Sequence, residues 1–366
     1  LFLHGMQMMS SGLEAAAGNR MKGILEKLTA NRILGVVVGA VITAVIQSSS
    51  ATTVMVVGFV NSGMMTLTQA VWIIMGANVG TTITGQLIAL DVGALAPFFA
   101  FLGVAMMVFL KRPQIHHYGS ILGGLGVLFI GMDMMSAAMV PLREMPAFVN
   151  LMTKFSNPVL GILAGALFTA LIQSSSASVG ILQALANSGV IGLNSAVYVL
   201  FGQNIGTCIT AVLASVGTGR NAKRTTIIHL MFNVIGTVLF TTLCLVTPLL
   251  GLSLVDFVAG LTPGNPASQI ANMHTIFNIV TTLLLLPLGG WMVKAAMRIL
   301  PEREQDPDEG MHLVFLTPIN ANQDRTIGHS AIYISQLRQE LSRMLGMAKE
   351  NVSTAFQAVL DRDPSL

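Results

Sequence analysis

The sequence predicts an all-α polytopic membrane protein built from two inverted repeats, each with a re-entrant hairpin and a broken transmembrane helix. Three observations lead there. The composition is too apolar for a water-facing surface, one long segment recurs 126 positions later without a gap, and polar runs interrupt apolar stretches long enough to cross a bilayer.

Of the 366 residues, 53% are hydrophobic and 10% charged, with a mean hydropathy of +0.73. A soluble chain carries about 25% charged residues, so most of this surface must face lipid or protein. The formal net charge is +3, but the basic residues fall in loops between apolar stretches, as the positive-inside rule places them. A clustered basic face, which nucleic-acid binding requires, is not in the sequence. Cys208 and Cys244 both lie in apolar stretches and read as small buried side chains, not a disulfide framework. The sequence opens at Leu1 inside an apolar segment, with neither Met nor a signal-peptide n-region, so the first span is expected to be cut short.

Residues 47–84 read QSSSATTVMVVGFVNSGMMTLTQAVWIIMGANVGTTIT, and residues 173–210 read QSSSASVGILQALANSGVIGLNSAVYVLFGQNIGTCIT. The same register puts Asn61-Ser62-Gly63 on Asn187-Ser188-Gly189, Gly76 on Gly202, Asn78 on Asn204 and Gly80-Thr81 on Gly206-Thr207. Upstream, Gly35 falls on Gly161, Thr43 on Thr169, and GMQMMS on GMDMMS. Shared composition would not hold one register so long, so the chain contains a duplication.

The spans follow in order. Residues 1–17 form a first membrane segment. Residues 33–60 and 158–186 are apolar stretches interrupted at the QSSS runs, and residues 68–90 and 194–216 are crossings interrupted near 76–82 and its counterpart. Residues 94–110, 119–140, 225–250 and 271–293 are further crossings. Unpaired backbone is tolerated at membrane depth only where protein or water covers it, so each QSSS run reads as the tip of a re-entrant hairpin. The ten-residue arm 51–60 would be about 15 Å long, half of a ~30 Å hydrocarbon core.

Loop charge sets the orientation. With Arg20, Lys22, Lys27 and Arg32 inside, three crossings leave Lys111 and Arg112 inside and the loop from Arg143 to Lys154 outside. Arg220, Lys223, Arg224, Lys294 and Arg298 then fall inside, and the outer loop 251–270 has no Lys or Arg. Three crossings separate the hairpins, so the repeats insert with opposite orientation, a layout typical of secondary transporters. The expected divisions are a first repeat at 1–126, a second repeat with extra helices at 127–300, a polar linker at 301–327, and the beginning of a cytoplasmic helical regulatory domain at 328–366. There Ile334, Leu337, Leu341 and Leu345 recur at helical spacing.

The candidate chemistry lies at the interruptions. Gln47, Ser48, Ser49 and Ser50, with Gln173, Ser174, Ser175 and Ser176, supply hydroxyl and amide donors. Each run opens a helical arm with unpaired N–H groups and a positive dipole end, a ready anion site. Two such tips entering from opposite faces can grip one small oxyanion at the midplane; the plainer alternative is helix packing through small residues. Asn78, Thr81, Thr82, Asn204 and Thr207, with unwound carbonyls at the neighbouring glycines, are hard oxygen ligands suited to Na⁺, and a packing kink is the alternative. A repeated His-x-x-Phe-Asn spans His229 to Asn233 and His274 to Asn278; the histidines read as structural, and Asn233 and Asn278 as support for ion ligands. Glu14 and Asp133 are ionisable groups within spans and so functional candidates by default, unless they sit near a membrane surface.

No enzyme site emerges: the serines have no His or Lys neighbour to act as base, and no Walker motif points to ATP. With no Arg or Lys clamp in the interior, a dianion would be held by dipoles and co-bound cations.

Two QSSS runs, each followed by N-S-G and G-x-N-x-G-T, resemble the type II sodium–phosphate cotransporter family in a bacterial form, over most of residues 1–300. The resemblance implies a Na⁺-driven carrier of inorganic phosphate working by alternating access in the bacterial inner membrane. The anion would sit at Gln47 to Ser50 and Gln173 to Ser176, no cofactor is implied, and Na⁺ is the coupling ion. Thr52 joins the sodium set, although the second repeat has Ser178-Val179 where the first has Thr52-Thr53. Bacterial members often end in a helical domain similar to phosphate-uptake regulators, which places the C-terminus in the cytoplasm. The partners implied are phosphate, Na⁺ and membrane lipid, not nucleic acid, with a homodimer left open. A carrier of another small oxyanion, a channel, and a phosphate sensor without net flux are the competing readings.

Overall fold

The computed structural model describes residues 1–17, 31–90, 93–110, 112–301 and 329–361. Among them every regular element is helical. The loop charges Arg20, Lys22, Lys27 and Lys111, and the linker 302–327, lie outside the described residues. The chain divides into two units, Leu1–Pro301 and Glu302–Leu366; the second contains one described helix, His329–Asp361, with Leu337, Leu341 and Leu345 exposed along it.

In the first unit, α1 (Phe2–Ala17) precedes the first helix–turn–helix, α2 (Arg32–Ile46) and α3 (Ser49–Asn61). The long α4 (Leu67–Ile88), α5 (Ala96–Phe109) and α6 (Pro113–Met139) follow. A short α7 (Pro146–Lys154) leads into the second helix–turn–helix, α8 (Pro158–Ile172) and α9 (Ser175–Asn187), and then α10 (Leu193–Gly206) and α11 (Ile209–Ala214). Last come α12 (Arg220–Val246), α13 (Leu254–Leu261), α14 (Pro266–Leu285) and α15 (Gly289–Ile299). By length and composition, four described stretches can cross a membrane: Leu67–Ile88, Pro113–Glu144, Leu193–Ala214 and Arg220–Leu250. Two more qualify only as bent pairs, α7 with α8 at 104° and α14 with α15 at 85°.

Capping chemistry follows the duplication. Asn31 and Asn157 accept from the first turns of α2 and α8, and Ser48 and Ser174 from the first turns of α3 and α9. The N-S-G motif is turn chemistry. Ser62 and Ser188 close α3 and α9, and Gly63 and Gly189 follow at φ +73° and +71°, where a side chain would be strained. The Asn of each motif reaches onward: Asn61 Oδ1 accepts from Gly219 N at 2.8 Å, and Asn187 Oδ1 from Ala267 N at 3.1 Å.

That last pair enlarges the symmetry beyond the 126-residue register. Gly219 caps α12 and Ala267 opens α14, so these two helices are themselves counterparts. Their packing agrees: α12 lies on α3 and α10, while α14 lies on α9 and α4. Likewise α11 touches α3, and α4 touches α9. Contacts that swap in pairs are what a two-fold exchange requires.

Two expectations change. Residues 76–82 do not break the first-repeat crossing; α4 runs through them unbroken. Gly76 and Gly80 serve close approach, because a Cβ at either would sit 2.0 Å from Val36 O or 2.4 Å from Ala40 O. In the second repeat Gly202 and Gly206 make the same approach to α8, and the helix does turn, at Thr207-Cys208. The crossing expected at 271–293 is two helices, because Pro287 has no amide to continue the ladder and clashes with the preceding turn.

Candidate functional site

The hairpin tips are built by one unusual backbone residue each. Gln47 and Gln173 close α2 and α8 at φ +58°, and among the described residues they are the only non-glycine positions with positive φ. A left-handed conformation costs a residue with a Cβ about 1–2 kcal/mol, so the tips keep glutamine where glycine would fit more easily. The turn is braced across the arms by Thr43 Oγ1 donating to Thr52 Oγ1 at 3.0 Å, and by Thr169 Oγ1 donating to Ser178 Oγ at 2.9 Å. Thr52 and Ser178 are thus the two forms of one brace, each fully buried.

The two tips meet. Ser49 Oγ and Ser175 Oγ lie 3.4 Å apart, and both side chains are buried. They border a cavity of about 380 Å³ lined by residues 47–50 and 173–176, with Gln7, Ser10 and Ser11 of α1 on one wall. No lining side chain is charged. Ser49 and Ser50, like Ser175 and Ser176, occupy the first positions of their helices, so their N–H groups have no intrahelical acceptor. The site therefore offers hydroxyls, amide N–H groups and two positive dipole ends, with no fixed charge.

The long helices touch the tips. Thr84 Oγ1 donates to Gln47 Oε1 at 2.8 Å, within the first repeat, while its counterpart Thr210 lies 3.2 Å from Ser50 Oγ, across the repeats. The expected cation ligands cluster on the same helices. Thr81 donates to Ala77 O, Thr82 to Val79 O and Thr207 to Gln203 O, so each hydroxyl spends its proton on its own helix. Thr52 likewise donates to Ser48 O. Asn78 and Asn204 donate to Ile74 O and Leu200 O four residues back.

The His-x-x-Phe-Asn motifs lie fully buried on α12 and α14. Asn233 and Asn278 each donate to the carbonyl of their own histidine, at 3.1 and 2.9 Å. His274 Nε2 meets Asn204 Oδ1 at 3.0 Å. Glu14 and Asp133 are exposed and line no part of the cavity between the tips; Asp133 borders a separate cavity of about 490 Å³ with Asn187 and Asn265.

Residues missed from sequence are Gln7, Ser10, Thr84, Thr210, Gln183 and Gln203. Gln183 Nε2 ties α9 to Gly85 O and Ala267 O, and Gln203 Nε2 holds Ser178 O. Thr84 and Thr210 are the last matched pair of the duplicated segment, which was a usable signal. Gln183 and Gln203 have no counterpart glutamine and left none.

The Na+/Pi-cotransporter family model matches residues 1–137 and 143–260. An uncharacterized protein of Bacillus subtilis, YqeW, is 34% identical over 303 residues, which is 82% of this chain and 96% of that protein. A protein of Salmonella typhimurium named as a putative inorganic phosphate export protein, YjbB, is 27% identical, over 86% of this chain but 56% of its own length. Rabbit sodium-dependent phosphate transport protein 2A is 37% identical over 92 residues, 25% of this chain and 14% of that protein. The chain thus spans about half the length of the Salmonella relative. No solved structure matches the chain. With the duplicated tips, the polar cavity and the family match over most of the helical unit, the chain belongs to the Na+/Pi-cotransporter family of membrane transporters.

Proposed function

We propose that this chain moves inorganic phosphate across a bacterial inner membrane coupled to Na⁺, by alternating access, with the anion between the two QSSS tips. The meeting of Ser49 and Ser175 at an uncharged polar cavity carries the reading. Helix N-termini and hydroxyls favour an oxyanion, but a dianion without a cationic side chain needs co-bound cations, and Na⁺ supplies them. Thr52, Thr81, Thr82, Thr207, Asn78 and Asn204 present neutral oxygens on elements that contact the tips. The paired exchange of contacts supports two repeats of opposite orientation, the arrangement that lets a rocking motion open the site to either side. The export named for the Salmonella relative bears on direction, and gradients imposed on one preparation read both directions.

The test is radiolabelled phosphate flux in proteoliposomes with and without an imposed Na⁺ gradient. Flux that follows the gradient, and that arsenate inhibits better than sulfate, supports the proposal. Phosphate binding without gradient-driven flux would turn the chain into a sensor.

A further inference from the structure

The turn at Thr207-Cys208 has no counterpart in the unbroken α4, and two side chains from outside the duplicated segment converge on it. Cys208 N bonds Ile205 O at 3.0 Å, so the Asn204 carbonyl faces the Cys208 thiol, at 3.9 Å. From α14, His274 meets Asn204 Oδ1. Because an amide oxygen only accepts, His274 must carry its proton on Nε2, and its Nδ1 is left buried without a partner. From α12, Asn233 donates Nδ2 to both His229 O and Cys208 Sγ, at 3.1 and 3.3 Å. That fixes the amide, and its Oδ1 is also buried without a partner. The Asn204 carbonyl, which accepts from the Cys208 thiol, and the Asn233 amide, which donates to it, thus share Cys208 as a neighbour.

The first repeat differs in two respects: α4 is unbroken, and both ring nitrogens of the counterpart histidine, His229, are buried without a partner, while Asn278 Oδ1 is unpartnered just as Asn233 Oδ1 is. Buried polar atoms left unpaired are costly, so His274 Nδ1 and Asn233 Oδ1, both on side chains hydrogen-bonded to the segment from Asn204 to Cys208, call for a ligand or a mechanical role.

We infer that His274 and Asn233 are positioning residues for a Na⁺ site at the Thr207-Cys208 turn: His274 orients the Asn204 side chain, and Asn233 holds the turn open and aims its free oxygen there. Neutral amide and carbonyl oxygens are the donors an alkali cation takes. The inference rests on the Na⁺-coupled reading above and makes the two repeats unequal in ion binding.

The test is the Na⁺ dependence of phosphate flux by the whole chain in proteoliposomes. His274→Ala raises the Na⁺ concentration for half-maximal flux by about tenfold or more, the usual effect of losing a ligand's supporting partner. The phosphate KM at saturating Na⁺ stays near wild type. His274→Gln, which keeps an N–H donor, recovers most of the loss, and Asn233→Ala shifts the same parameter. His229→Ala removes equal volume with no such bond and leaves Na⁺ half-saturation at the wild-type value. If His274→Ala does not fold, Asn233→Ala and the glutamine variant decide. An equal shift for His229→Ala and His274→Ala, or none for His274→Ala and Asn233→Ala, overturns the inference. Wild-type flux without any Na⁺ dependence removes the parent reading instead.

Discussion

Ser49 and Ser175, counterparts 126 positions apart, have their hydroxyl oxygens 3.4 Å from one another. If a two-fold axis relates the copies, a residue that touches its own counterpart lies on it, as in a self-complementary dimer interface. Whatever binds there is addressed by both halves at once. Ser49→Ala and Ser175→Ala should therefore each raise the KM for phosphate by a similar factor, about 10-fold or more if each hydroxyl bonds a charged oxygen. Initial rates of phosphate uptake against concentration measure this, and a loss confined to one of the two serines would place the anion off the axis.

The duplication also fixes a prediction about sidedness. Thr68 and Asn194 are repeat counterparts, both exposed at the starts of α4 and α10. In an inverted pair they face opposite compartments. An impermeant maleimide added to intact cells should label Asn194→Cys, and label Thr68→Cys only after permeabilisation. Cys208 and Cys244 are buried and will give little background. Labelling of both sites from one side would mean parallel repeats.

Much of this layout could be read from residues alone, because a shared register is independent of packing. The QSSS tips and the N-S-G turns sit where the register put them. The glycines of residues 76–82 could not be read so well. A glycine serves both an unwound turn and a close helix approach, and Val36 and Ala40, on another helix, decide for the second. The pairing of α12 with α14 was signalled by the repeated His-x-x-Phe-Asn, but the contacts that reveal it run through Asn61 and Asn187, each reaching far along the chain. Pro287 was a visible breaker, and the apolar run around it masked it.

Those glycine contacts give a stability contrast. At Gly202 a Cβ would lie 2.0 Å from Ile162 O, a backbone atom that cannot step aside, whereas at Gly58, within α3, nothing lies within 4 Å. Gly202→Ala should lower stability by about 1–3 kcal/mol through overpacking. Gly58→Ala should raise it by up to about 1 kcal/mol through helix propensity. Thermal unfolding of the detergent-solubilised protein separates the two, and a tolerated Gly202→Ala would show that α8 and α10 are less tightly apposed.

Gln173 supplies the sharpest separation of stability from function. It holds φ +58° with its side chain exposed toward the cavity between the tips. Glycine adopts that conformation without the Cβ penalty, so Gln173→Gly should stabilise the protein by about 1 kcal/mol. If the amide is kept to contact the transported anion, the same substitution lowers phosphate flux, the trade expected of strain held at a functional site. Unfolding midpoint and flux are measured on one preparation. A variant both more stable and fully active would show that the glutamine does no transport work, and the tip would then act through its serines and backbone alone.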